Sequence, residues 1–175
     1  MATRKVKLVG TAEWAKVFEQ NRDMLGYNEA YVDCDGACTI DLIMDEANHD
    51  AFISTGTAKR PKKEANGYRV KLVRRFDTGH DYSSGAPTVT HADGTPWDFD
   101  ADGLIGNGSV VEVIASVYDT SYNGRKGVTG TRLDSVKVIE HVGLGEGSIP
   151  IISAETVSAS SSPTSAPTNN DEVLF

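Results

Sequence analysis

The chain has 175 residues, with 25 Asp and Glu against 17 Lys and Arg, and a formal net charge of −8. This length is enough for one domain with its own core and an appendage, without disulfides or metals. No apolar run approaches the roughly 18 residues of a membrane span and MATRKVKLVG is not a signal peptide, so we expect a cytoplasmic protein.

The first segments predict a short strand followed by a helix. Residues 5–9, KVKLV, read as a short first strand, and Thr11 can cap a helix that begins in GTAEWAKVFEQN. Trp14, Val17 and Phe18 then fall at positions i, i+3 and i+4. This spacing is typical of an apolar helix face, so we expect Trp14 to belong to the core.

A hairpin and a second helix are predicted next. Residues 27–33 and 39–44 have strand-like composition, and Asp35 and Gly36 are turn residues between them. Asp45 can cap a helix in DEANHDAFIS, which Gly56 would end.

The two cysteines do not form a recognisable motif. Cys34 and Cys38 lie four residues apart, and a zinc site would require His49 and another ligand to converge on them. We expect free thiols, as in proteins of a reducing compartment.

Positive charge is concentrated in residues 59–76. This stretch contains eight of the 17 cations, namely Lys59, Arg60, Lys62, Lys63, Arg69, Lys71, Arg74 and Arg75. Its second half alternates as a strand, with Tyr68 and Phe76 beside the cations. Cations with aromatic rings favour single-stranded nucleic acid. The alternative is a solvated edge strand whose cations discourage edge pairing.

The second half of the chain indicates a mainly β fold. Residues 78–96 form a long polar excursion around a short strand, and the Val- and Ile-rich segments 109–118 and 132–142 are the strongest strand signals. The segment 120–130 reads as a basic loop with Arg125 and Lys126. Several strands without βαβ alternation predict a five-stranded antiparallel OB barrel with short helices.

The composition changes after Val142. Residues 143–175 contain four acids and no Lys or Arg, and Ser, Thr, Ala and Pro dominate. We expect a disordered linker. Its tip, DEVLF, is built like a short partner-binding motif, and an inert solubilising tail is the alternative. The predicted domains are therefore residues 1–142 and a tail of residues 143–175.

An acidic turn resembles a calcium loop only in part. Asp98, Asp100, Asp102 and Gly103 match its first positions, but Ser109 stands where a bidentate glutamate is needed. We interpret the aspartates as a turn cluster. A nuclease that uses them as magnesium ligands is the best enzyme alternative. No catalytic motif occurs elsewhere, so we expect neither enzymatic activity nor a cofactor.

Several motifs together resemble a known family. In order they are WAKVFEQNRD, GYRVKLVRRF, GAPTV, GTPWDFD, LIGNGSVVEV, VYD and GTRLDSVKVIEHV, and the acidic C-terminus closes on Phe175. Residues 5–142 are similar to the OB-fold single-stranded DNA-binding proteins of tailed bacteriophages, of the podovirus type.

The resemblance implies a function and partners. Such proteins bind single-stranded DNA independently of sequence, protect it during phage DNA replication, recombination and repair, and recruit the phage DNA polymerase or other replication proteins through the tail. They often form homodimers, and they act in the cytoplasm of the infected bacterial host. An OB-fold module whose basic strand binds an acidic protein partner is the alternative.

The candidate binding residues combine both arguments. The expected backbone contacts are the eight cations of residues 59–76 with Arg125 and Lys126. The expected stacking residues are Tyr68, Phe76 and Trp97, followed by Tyr82, Tyr118 and Tyr122. The expected partner-binding residues are Asp171, Glu172, Val173, Leu174 and Phe175.

Overall fold

The computed structural model of the chain describes residues 3–122 and 125–143, with side chains for residues 3–120 and 128–143. The strands are β1 (Thr3–Lys16), β2 (Ala37–Met44), β3 (Lys62–Glu64), β4 (Gly67–Arg75), β5 (Thr88–His91), β6 (Ser109–Tyr122) and β7 (Arg125–Glu140). The α-helices are α1 (Glu46–Ile53) and α2 (Phe99–Asp102). Neither of them is long and apolar enough to cross a membrane. Residues 144–175 of the predicted tail, including the candidate tip 171–175, lie outside the described residues, and the division at residue 142 stays a prediction.

All seven strands belong to one curled sheet in the order β3-β4-β2-β1-β6-β7-β5. Neighbours pair antiparallel except β5 and β7, which are parallel. The Arg74 Nη1 of β4 donates to the Leu133 carbonyl of β7 at 3.3 Å, although three strands separate β4 from β7 in the sheet. The predicted mainly β, strongly bent sheet is therefore confirmed, with seven strands instead of five.

The core lies inside this curled sheet. Leu8, Leu42, Leu72 and Leu133 are fully buried, one on each of β1, β2, β4 and β7. Helix α1 adds the fully buried Phe52. This helix was predicted correctly, because Asp45 accepts the Asn48 backbone N–H at 2.9 Å as its N-cap and Gly56 takes a φ of 82° just after the helix.

The helix predicted after residue 11 is wrong. Strand β1 continues to Lys16 because Ala12 pairs with Leu42 of β2 on one side and with Ser109 of β6 on the other. Val17 and Phe18 are buried as expected, but Trp14 is 64% exposed. Pairing with two distant strands thus overrides a local helix-like spacing.

The first strand of the predicted hairpin is also wrong. Residues 27–33 form a 3-10 turn (Tyr27–Glu29) and further turns, because Gly26, Asn28 and Glu29 have φ values of 71°, 55° and 60°. These left-handed conformations interrupt an extended backbone. The second strand is confirmed as β2, which pairs with β1 and β4 instead.

The last two strands were predicted correctly but too short. β6 and β7 pair along their length up to Tyr122 and Arg125, so most of the predicted basic loop is strand. The side chains of Tyr122, Arg125 and Lys126 lie outside the described residues.

Candidate nucleic-acid interface

A groove of about 970 Å³ opens beside the start of β1, the end of β6 and the middle of β7. The loops around residues 31 and 80 form its other wall. Three cations, Lys59, Arg75 and Arg132, and four rings, Tyr31, His80, Tyr82 and Tyr118, are among its lining residues. Of the predicted site residues, Lys59, Arg75, Tyr82 and Tyr118 therefore meet at one place.

Arg132 lines this groove close to two tyrosines. Its guanidinium carbon is 5.9 Å from the Tyr82 ring centroid and 5.5 Å from that of Tyr118. Both distances are within the range of cation–π attraction. Tyr82 is 73% exposed and stacks on His80 at 5.4 Å between ring centroids. The groove thus presents a cation within reach of two aromatic faces.

A half-buried carboxylate fixes the position of Arg132. Asp134 Oδ1 accepts from Arg132 Nε at 2.9 Å, and its Oδ2 accepts from Lys5 Nζ at 2.8 Å and from the Ser116 hydroxyl. Burial would raise the pKa of Asp134, but the hydrogen bonds from Lys5, Ser116 and Arg132 lower it below its ordinary value. Asp134 therefore stays ionised and holds the guanidinium at one site.

Tyr118 occupies its place because residue 130 is glycine. Tyr118 pairs with Gly130 across β6 and β7. A Cβ at position 130 would lie only 2.5 Å from Cε2 and 2.6 Å from Oη of the Tyr118 ring. The ring therefore lies directly over the backbone of β7, where any side chain would displace it.

The opposite wall repeats the pairing of a cation with a ring. The Arg75 guanidinium carbon lies 5.6 Å from the Tyr31 ring centroid, and its Nη1 donates to the Ala30 carbonyl at 3.2 Å. Burial raises the pKa of Tyr31, so this phenol stays neutral.

Lys59 contributes a cation of a different kind. Burial, and then the charge of Lys71, lower the pKa of Lys59 below its ordinary value. Its ammonium is poorly hydrated and would gain from an incoming phosphate. The neighbouring Arg60 is exposed and donates to the carbonyls of Thr57 and Lys59.

Two predicted contact residues serve the fold instead of the groove. Arg69 is bound by three carboxylates, those of Glu13 (2.7 Å), Asp41 (2.9 Å) and Glu64 (3.0 Å). The hydrogen bond to Glu13 raises the pKa of Arg69 most, burial acts against it and lowers the pKa, and the bonds to Glu64 and Asp41 raise it further, so the net result is a raised pKa. With its charge already matched, Arg69 has little left for a phosphate.

Arg74 is the second of these residues, and its side chain is only 10% exposed. It donates to the carbonyls of Gly85, Ser84 and Leu133. Burial lowers the pKa of Arg74. The alternation of the basic strand was predicted correctly, but Arg74 belongs to its inward face and ties β4 to the loop after it.

The remaining cations of the stretch lie outside the groove lining. Lys62 and Lys63 are exposed on the short outer strand β3. Lys63 Nζ sits 4.9 Å from the Tyr68 ring centroid, and Tyr68 stacks on His49 at 4.0 Å. Lys71 is exposed and 3.7 Å from Asp41. Tyr68 therefore has one face covered by the protein itself.

Phe76 and Trp97 also lie away from the groove lining. The Arg22 guanidinium carbon covers the Phe76 ring at 4.0 Å. Trp97 packs against the core, donates from Nε1 to the Gly103 carbonyl at 2.9 Å, and lies between His91 and His141. These last three residues line a separate cavity of about 480 Å³.

The acidic turn is used for local structure, as predicted. Asp98 caps α2 and accepts the Asp100 backbone N–H at 3.0 Å. Asp102 accepts from the Asp98 backbone N–H and bonds His91 Nε2, both at 2.8 Å. Within residues 3–122 and 125–143, no three His, Cys, Asp or Glu side chains gather as metal ligands would.

Both cysteines are free, as predicted, and both are buried. Burial raises the pKa of Cys38 to about 11. Metal binding and nucleophilic attack require the thiolate, so this thiol is suited to packing.

Sequence reasoning missed Tyr31, His80 and Arg132 as groove residues. Arg132 stands in a Val-rich strand and reads as an ordinary outward charge. Tyr31 lies in a segment that was predicted to be a strand. The usable signal for Arg132 was its i, i+2 spacing to Asp134, which places both on one face of β7.

Comparisons with known proteins give a fold. No family model matches the sequence, and no curated protein matches it. The single-stranded DNA-binding protein from bacteriophage Enc34 in complex with ssDNA has a TM-score of 0.50 at 14% identity, covering 80% of this chain and 87% of that one. The protein gp2.5, a single-stranded DNA-binding protein encoded by bacteriophage T7, has a TM-score of 0.50 at 17% identity, covering 86% of this chain and 99% of that one. The chain therefore has the fold of these phage proteins.

Proposed function

We propose that the chain binds single-stranded DNA, independently of sequence, in the groove around Arg132. The observation that carries this proposal is that three cations and three tyrosine rings line one groove, with the Arg132 guanidinium over the rings of both Tyr82 and Tyr118. Every base has a face that can stack, and every nucleotide carries a phosphate, so this arrangement does not select a sequence.

The groove residues divide into two roles. Tyr82 and Tyr118, with Tyr31 on the opposite wall, stack on bases. Lys59, Arg75 and Arg132 bind phosphates, and Arg132 keeps its direction because Asp134 holds its Nε. Lys62, Lys63 and Lys71 lie outside this lining and act as outer cations that attract the strand at low salt.

The similar folds support this assignment. Both proteins named above are described as single-stranded DNA-binding, and one was solved with ssDNA. The alternative, an acidic protein partner on the basic strand, would account for the cations but does not by itself require the four rings that line the same groove. It is also weakened because Arg69 is already bound by three carboxylates.

A titration with labelled oligothymidylate and with duplex DNA tests the proposal. We expect single strands to bind more tightly, because the rings have accessible bases only when these are unpaired. With three phosphate contacts, log K should fall with log salt at a slope of about −2, at roughly 0.7 per contact. Equal affinity for both forms, or no salt dependence, would refute the groove.

The tail carries a second part of the proposal. We infer that residues 171–175 recruit the phage DNA polymerase or another replication protein, because Asp171 and Glu172 precede an apolar tip. The biological role is then protection of single strands and enzyme recruitment during phage replication, recombination and repair in the host cytoplasm, with a homodimer as the assembly. Capture of the polymerase by the full chain, but not by a Phe175→Ala variant, tests this part.

A further inference from the structure

Trp14 stands out on the strand that the rest of the sheet is built around. Its side chain is 64% exposed, the largest exposed fraction for an apolar side chain on any of the described strands. Its φ is 51°, a left-handed conformation that a bulky side chain rarely adopts. A solvated tryptophan in a strained backbone has no role in the core.

The surrounding structure holds this conformation in place. The Trp14 backbone N–H donates to Asn107 Oδ1 at 2.8 Å, and the Gly108 N–H donates to the Ala12 carbonyl at 3.0 Å. The register of β1 against β2 shifts between Glu13 and Lys16 at this point. Backbone strain that neighbouring groups maintain is a reason to look for function.

The same turn also holds the end of the described chain. The Gly106 N–H donates to the Val142 carbonyl at 2.7 Å, and the Val142 N–H donates to the Ser109 hydroxyl at 2.9 Å. Residues 106–108 therefore contact both Trp14 and the point where the tail begins. Val142 is itself an exposed apolar residue, at 44% exposure.

The sequence that follows this point contains an apolar segment. Residues 149–152 read Ile-Pro-Ile-Ile, within a tail that is otherwise rich in Gly, Ser, Thr and Ala. Ile149 is six positions after Gly143, and an extended chain of six residue steps reaches about 20 Å. Because three residues, 106–108, bridge Val142 and Trp14, this reach is sufficient.

We propose that residues 149–152 dock on Trp14 of the same chain. The tryptophan ring is then covered by isoleucine side chains, and the proline limits the conformational freedom that docking would remove. A tethered segment has an effective concentration on the order of millimolar, so even a millimolar contact is occupied about half the time. The docked segment fixes the start of the remaining tail to this end of the sheet.

Trp14 is far from the proposed DNA groove. Thr3 lines the groove, and eleven residues of β1 separate it from Trp14, or about 36 Å along a strand at roughly 3.3 Å per residue. The docking site and the groove can therefore be tested separately. Failure of DNA binding would leave the docking proposal intact, since its test uses no DNA.

The test uses the full chain labelled with 5-fluorotryptophan. The chain has two tryptophans, so two ¹⁹F resonances are expected, and Trp14→Phe assigns them. Exposure of each ring is measured as the shift between H₂O and D₂O. We expect the Ile151→Ser/Ile152→Ser variant to raise the solvent shift of Trp14 about twofold, because half occupancy shields half of the molecules. The matched control Val157→Ser, further along the tail, should leave it unchanged.

Other results would overturn the proposal. An unchanged Trp14 shift in the Ile151→Ser/Ile152→Ser variant means that the segment does not cover the ring. A shift in the unsubstituted chain that depends on protein concentration means that a second copy covers it. A thermal midpoint lowered by Trp14→Asn, a residue that tolerates the left-handed conformation, would assign Trp14 to stability instead.

Discussion

Replacing Gly130 with alanine should weaken DNA binding by displacing the Tyr118 ring, although Tyr118 itself is unchanged. The added Cβ would lie 2.5 Å from Tyr118 Cε2, a separation that real Cβ contacts do not show, so the ring must leave its place over β7. The backbone itself accepts alanine, since Gly130 is not among the glycines with positive φ. The substitution therefore acts on the Tyr118 ring alone.

The expected loss is that of one stacking contact. Base stacking on an aromatic side chain is worth about 1–3 kcal/mol, which corresponds to an increase in Kd of about 5- to 150-fold. The free energy of unfolding should change by less than about 1 kcal/mol, because alanine is favoured over glycine in a strand while some Tyr118 packing is lost. Fluorescence anisotropy with labelled oligothymidylate and thermal unfolding measure the two quantities.

A double substitution makes this reasoning testable. If Gly130→Ala acts by displacing the ring, the Gly130→Ala/Tyr118→Ala variant should bind as Tyr118→Ala does, since the two changes remove the same contact. Gly143→Ala is the matched control, because its Cβ would meet only His141 at 4.0 Å. Wild-type affinity of Gly130→Ala, or additive losses in the double variant, would refute the stacking role of Tyr118.

Three further predictions use the charged residues. Because burial lowers the pKa of Lys59, this side chain should lose its charge, and DNA affinity should fall, as the pH is raised from 7 towards 10. Lys59→Arg should flatten this dependence of affinity on pH. The same pH dependence in Lys59→Arg as in wild type would show that Lys59 does not contact DNA. Arg75→Ala should reduce the magnitude of the salt slope by about 0.7, whereas Arg69→Ala should leave the slope unchanged in the same titration. Asp134→Asn should lower the free energy of unfolding by about 2–3 kcal/mol in urea denaturation. Because the pKa of Asp134 is lowered in the folded protein, its ionised form stabilises the fold at pH values above the ordinary carboxyl pKa. This stabilisation is lost as the pH falls through the lowered pKa. Wild type should therefore lose more free energy of unfolding than Asp134→Asn between about pH 4.5 and 2.

The elements that were predicted correctly have local causes. β6 and β7 are dense in valine and isoleucine, and Asp45 caps α1 through its own side chain. The second half of β1 has no such local signal. The spacing of Trp14, Val17 and Phe18 fits a helix as well as it fits the observed strand and bulge. Pairing with β2 and β6, about 30 and 100 residues away in sequence, selects the strand.

The groove was only partly predictable for a related reason. The density of cations and rings in the sequence predicts four DNA-contact residues that do line the groove, namely Lys59, Arg75, Tyr82 and Tyr118. The same density also selected Arg69 and Arg74, whose carboxylate partners Glu13, Asp41 and Asp134 lie far away in the sequence. Counting charges identifies candidates, but only the fold determines which of them remain unmatched.

The central position of β1 has a consequence for how the chain is made. β1 pairs with β6, whose residues follow about 100 positions later in the sequence. At a translation rate of 5–20 residues per second, this edge of β1 stays unpaired for roughly 5–20 s during synthesis. Such long-range pairing is also slow in refolding. Lys5 and Lys7 point outward along this edge and are exposed. Their charges discourage another nascent strand from pairing with β1 while it waits.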